Sequence, residues 1–165
     1  MRSGDVIRIA AVCLILTPGP LPAQGTITNL TATPGTITFN SPDPDTTPPN
    51  GSSSATVQWT MRGNRLGTWS VSVKAGAATL VNCPAVPVTA IKVQCLTLTP
   101  ENAGVGACVT GTFALSTIGQ TIASGTREGA AGVTTMTVAF TFTDSWQYPA
   151  SSACSAQITY TVTAQ

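Results

Sequence analysis

Residues 133–143 read VTTMTVAFTFT. Their apolar side chains recur at every second position, with Met136, Val138, Phe140 and Phe142 on one side and Thr135, Thr137, Ala139, Thr141 and Thr143 on the other. Successive side chains of an extended chain point to opposite faces, so this run specifies a strand with one buried face and one hydroxylated face. A helix would scatter the same four residues over both of its sides. The period of two returns in residues 55–61, where Val57, Trp59 and Met61 oppose Thr56, Gln58 and Thr60, and in residues 68–74, where Trp69, Val71 and Val73 oppose Ser70, Ser72 and Lys74. It returns again in residues 156–163, with Ile158, Tyr160 and Val162 against Gln157, Thr159, Thr161 and Thr163.

Shorter runs complete the pattern. Residues 27–31 and 36–39 flank a Pro34-Gly35 turn, residues 85–93 are interrupted by Pro87 and expected along an edge, and residues 113–117 and 120–124 meet at Ile118-Gly119. No long stretch carries a 3.6-residue apolar period. Roughly seven to nine strands of this kind, each with one apolar face, predict an all-β fold: two antiparallel sheets packed as an immunoglobulin-like or pilin-like sandwich. Its expected core is Trp59, Trp69, Val71, Phe113, Val138, Phe140, Ile158 and Tyr160. The RGNRLG segment at 62–67 reads as a hairpin loop joining strands 55–61 and 68–74, and residues 113–124 read as a second hairpin.

The first 23 residues differ in character. Arg2 and Arg8 precede or flank an apolar run at 7–16, and a Pro/Gly break ends in Leu21, Pro22 and the small residue Ala23. This is the layout of a secretory signal peptide cleaved after Ala23, and its apolar run is too short to span a bilayer. Residues 24–165 are then expected to form a single β-sandwich domain, exported to the bacterial periplasm, cell surface or exterior, with no membrane span once the signal is removed. That portion carries Arg62, Arg65, Lys74, Lys92 and Arg127 against Asp43, Asp45, Glu101, Glu128 and Asp144, so its charges balance. Charged residues are 8% of the whole chain, against about 25% in ordinary soluble domains. Such a surface is hydroxylated rather than charged and offers no basis for binding nucleic acid.

Cys83, Cys95, Cys108 and Cys154 lie beyond the signal segment. An even number in an exported chain reads as two disulfides with three alternative pairings. Pairing Cys95 with Cys108 would close the turn-rich TPENAGVGA segment at 99–107, leaving Cys83 for Cys154. The chain has no histidine, so its many hydroxyls lack the usual activating base, and its carboxylates are spread over separate loops rather than paired across a cleft. The expectation is a protein that is not an enzyme and needs no cofactor.

Three features remain as candidate sites. Asp43 and Asp45, in FNSPDPDTTPPNGSSS at 39–54, offer two oxygen ligands to calcium but read more simply as turn residues. Trp146 and Tyr148, in DSWQYP at 144–149, can stack on a glycan or contact a partner protein, or can cap the end of the sandwich. Arg62, in the neighbouring expected loop, joins them in a ligand-binding reading and is otherwise a solubilising charge.

The GTWSVSV segment at 67–73, the LSTIGQTIASG segment at 115–125, DSWQY at 144–148 and ITYTVT at 158–163 carry a resemblance to small exported bacterial surface proteins. The chain resembles the spore-coat-protein-U-like and other pilin-like sandwiches, with a fainter likeness to WxL cell-surface domains, although Val71 stands where the WxL motif has Leu. The resemblance implies a structural or assembly subunit of a surface layer, fimbria or coat. It implies partners that are copies of the chain or other subunits, joined by strand addition. It would make residues 24–39 either a segment donated to a neighbour, with Ile27, Leu30 and Ile37 as anchors, or the first strand of the subunit's own sandwich.

Overall fold

The computed structural model describes residues 26–39, 50–62, 67–100, 105–127, 132–143 and 153–164. They form the strands β1 (Thr26–Thr33), β2 (Thr36–Phe39), β3 (Asn50–Arg62), β4 (Gly67–Ala75), β5 (Thr79–Leu80), β6 (Cys83–Pro87) and β7 (Ile91–Thr99). Five more follow: β8 (Val105–Cys108), β9 (Phe113–Ala114), β10 (Gln120–Arg127), β11 (Gly132–Thr143) and β12 (Cys154–Ala164). One 3-10 turn, Val88–Ala90, separates β6 from β7. The all-β, antiparallel sandwich expected from the periodicity is the architecture found.

One sheet has the order β1-β3-β11-β7-β9 and the other β2-β12-β4-β10-β8, with β5 and β6 as a separate hairpin. In that hairpin Leu80 lies opposite Cys83 across a two-residue loop, where Asn82 takes a left-handed φ of 66°. Asparagine tolerates this conformation better than most residues.

Two aromatic pairs mark where the sheets meet. Trp59 of β3 meets Trp69 of β4 edge-on at 5.5 Å, and Phe39 of β2 lies 5.6 Å from Phe142 of β11. Trp59, Trp69, Val71, Val138, Phe140, Ile158 and Tyr160 are all buried as their period-two positions require, and Phe113, in the two-residue edge strand β9, is half-buried against them. Trp69 lies flat over its own sheet because its neighbours there have no side chain. A Cβ at Gly106 would come within 2.5 Å of Trp69 Cζ2 and 2.8 Å of Leu98 Cδ2, and one at Gly125 would run into the same indole.

Both expected hairpins are corrected. β3 and β4 belong to different sheets, as do β9 and β10. The loops 62–67 and 115–119 therefore carry the chain from one layer to the other. The tryptophans explain the first crossing: on adjacent strands of one sheet they would sit side by side, whereas in opposite layers they close on each other across the core. The segment 85–93 divides at the 3-10 turn, and its second part opens β7, which pairs along its length with β11. The interval 99–107 ends in β8, which pairs with residues 123–126 of β10.

The structure pairs Cys83 with Cys154 and Cys95 with Cys108. The first ties β6 to the start of β12. The second joins β7 of one sheet to β8 of the other, stapling one flank of the sandwich.

Candidate functional site

The opposite flank is open, and the pairing of β12 shows why. Along residues 158–164 β12 pairs with β4, while its other side pairs with β2 only at residues 154–157. In an antiparallel strand, the N–H and C=O of one residue point to the same side, and alternate residues face alternate neighbours. Gly76 N–H donates to Gln157 C=O at 2.9 Å, on the β4 side, and Ile158 N–H donates to Gly35 C=O at 3.2 Å, on the β2 side. Continuing the alternation, Thr159, Thr161 and Thr163 address β4, and Tyr160, Val162 and Ala164 face away from it.

Beyond Ile158 the strand that would serve those three residues has gone. The chain passes at Pro34-Gly35 into β1, which belongs to the other sheet and pairs with β3. Among the described residues, no strand lies along Tyr160, Val162 and Ala164. β1 runs beside this stretch across the sandwich, and it too has an outer edge with no described partner.

The side chains follow the same gradient. Cys154, Ala156 and Ile158 are buried, Tyr160 is 8% exposed, and Val162 and Ala164 are half-buried. On β1, Ile27 and Ala32 are half-buried and Leu30 is 41% exposed. β1 is irregular between Thr28 and Thr31, where Asn29 has a φ of 54°. The result is a flank with half-buried apolar side chains and a run of backbone groups that no described strand pairs.

Two polar side-chain atoms of these strands, Thr28 Oγ1 of β1 and Tyr160 OH of β12, are buried without a hydrogen-bond partner. Burial pushes the Tyr160 phenol above its ordinary value of about 10 by desolvating the charged form. Because the folded-state value is the higher one, folding favours the neutral phenol. Its contribution is complete below about pH 10 and is lost as pH rises toward the folded-state value. Tyr160→Phe is expected to remove this part of the alkaline sensitivity and to leave neutral-pH stability unchanged or slightly higher, since the hydroxyl makes no bond. Urea unfolding of both proteins at neutral and alkaline pH checks this; equal alkaline destabilisation would contradict it.

Of the residues singled out in the sequence, Asp43, Asp45, Trp146 and Tyr148 lie outside the described residues. Arg62 ends β3, with its backbone opposite Thr26, and its side chain is not described. Among the described residues, no three His, Cys, Asp or Glu gather as a metal site, and no helix is long and apolar enough to cross a membrane. Residues 26–39 pair within their own chain, β1 with β3 and β2 with β12. The open stretch of β12 was not read from the sequence. Its alternation was visible, but which side lacks a neighbour depends on where β2 ends.

Compared with known protein families, curated proteins and solved structures, the chain matches none.

Proposed function

We propose that this protein is a secreted structural subunit of a bacterial surface layer, fimbria or coat, held to its neighbours by strand addition along β12. The observation that carries the reading is the run Tyr160, Val162 and Ala164, whose outer side no described strand pairs and which lies beside β1 on a flank where neither strand carries a charged residue. Unpaired strand edges are templates for another strand, and isolated proteins blunt them with Lys, Pro or inward charges. Residues 160–164 read YTVTA and carry none of these. An added strand supplies backbone partners and covers Val162 and Leu30, which combines main-chain hydrogen bonding with side-chain burial.

The outward faces support the same reading. Ser70 and Thr163 share a hydrogen bond at 3.2 Å and Gln58 donates to Thr135 at 3.3 Å, so these polar faces satisfy part of their own hydrogen bonding and leave the flanks as the reactive surfaces. Sedimentation velocity of the oxidised protein without added ligand tests the proposal. The weight-average mass is expected to rise with concentration; one monomeric species at every concentration would contradict it.

A further inference from the structure

We infer that copies of this chain join head to tail, with the β7/β8 flank of one seated on the β1/β12 flank of the next and β8 pairing antiparallel with the open stretch of β12. This rests on the assembly reading above and adds the partner and the contact: a second copy, held through two different edges.

The first argument is the backbone of β8. Val109 N–H donates to Ile122 C=O at 2.8 Å. In the ladder with β10, residues 105 and 107 therefore address β10, and Gly106 and Cys108 direct their N–H and C=O outward. β8 thus offers two outward backbone pairs, and β12 offers three. Neither edge contains a charged residue or proline: residues 105–108 read VGAC. The flanks are also apolar, with Val105 65% and Val109 42% exposed on one side and Leu30 41% exposed on the other.

Shape supplies the second argument. At the end of the sandwich marked by Trp59 and Trp69, the described strands of one sheet run from β12 to β8 and those of the other from β1 to β7. At the end marked by Phe39 and Phe142, the sheet of β1 runs from β3 to β9, while in the sheet of β12 the strand β2 pairs with residues 154–157, past the last β12–β4 pair at Ile158 and Ala75. In the sheet of β1 one flank advances by a strand where the other recedes: β9 pairs with Lys92 and Val93 of β7 beyond the level at which β1 ends opposite Thr56. The two edges of that sheet are therefore stepped to match each other.

Strand direction supplies the third. Within one sheet β12, β4, β10 and β8 follow one another antiparallel, and within the other β1, β3, β11 and β7 do so. Across each of these runs of four, the first and last strands point in opposite directions. A copy added without inversion then brings its β8 antiparallel to β12 and its β7 antiparallel to β1 of the neighbour. Such a heterologous contact, repeated from copy to copy without a rotation that closes a ring, extends into a fibre or layer.

In register, Ala107 of one copy lies opposite Thr161 of the next, or opposite Thr163 if the ladder shifts by two residues; all three side chains are exposed. Cysteines placed there test the contact under mild oxidation that leaves Cys83–Cys154 and Cys95–Cys108 closed. Ala107→Cys combined with Thr161→Cys, or with Thr163→Cys, is expected to give a ladder of covalent multimers. The single variants are expected to give no crosslink alone, and a 1:1 mixture of two singles only a covalent dimer. If wild-type protein assembles but neither pair crosslinks, or if Ala107→Cys alone crosslinks to itself, the head-to-tail contact is wrong while assembly stands. If wild-type protein is monomeric throughout, both fall together.

Discussion

Replacing Cys83 and Cys154 together by alanine is expected to lower the folding free energy by about 4 kcal/mol, and replacing Cys95 and Cys108 together by about 3 kcal/mol. The difference follows from the chain each bridge closes: 71 residues of separation in the first case and 13 in the second. Longer closed loops remove more conformational freedom from the unfolded chain. Cys83 and Cys154 are also 4% and 2% exposed, so losing their sulfurs leaves unfilled space in the core in addition. The first bridge holds the start of β12, where β2 pairs, and its loss is expected to loosen the strand that carries the candidate assembly edge. Urea unfolding of the two double variants checks the order; an equal or reversed ranking would contradict it.

Trp59→Ala is expected to cost about 4 kcal/mol, which places it among the most damaging single changes in the chain. The side chain is fully buried, stands edge-on to Trp69 at 5.5 Å, and lies opposite the buried Thr134 of β11. Its Nε1 has no hydrogen-bond partner, so the loss is of packing and of apolar burial rather than of a polar contact. Because Trp59 and Trp69 come from different sheets, the cavity opens between the layers, and neither sheet can close it without moving the other. An exposed position such as Thr99 provides the control, where substitution by alanine is expected to change stability by less than about 0.5 kcal/mol. Denaturant midpoints measured on both variants decide it; a cost at Trp59 as small as at Thr99 would show that the two layers do not meet there.

The side-chain period of two made the faces of β3, β4, β11 and β12 legible, because the period belongs to the strand itself and needs no knowledge of its neighbours. Trp59, Trp69, Val138 and Phe140 could be placed inside for that reason. Which strands lie side by side was less visible. RGNRLG at 62–67 suits a tight hairpin and a crossing between layers equally well, and only the meeting of Trp59 with Trp69 distinguishes them. β8 was hidden because Gly106, Ala107 and Cys108 show little contrast between faces, and the later part of β7 because its pairing with β11 shifts at Thr137 and Val138. The open edge of β12 is further from the sequence still. It arises because β2 pairs with only residues 154–157, a relation between segments more than a hundred residues apart.

The central claim is that the backbone of Tyr160, Val162 and Ala164 is the surface that neighbours occupy, and amide hydrogen exchange reads those three groups directly. In dilute oxidised protein they are expected to exchange rapidly, while Thr159, Thr161 and Thr163, bonded to β4, exchange slowly. At concentrations where the sedimenting mass has risen, Tyr160, Val162 and Ala164 are expected to become protected. Assembly that leaves the exchange of these three amides unchanged would contradict the account.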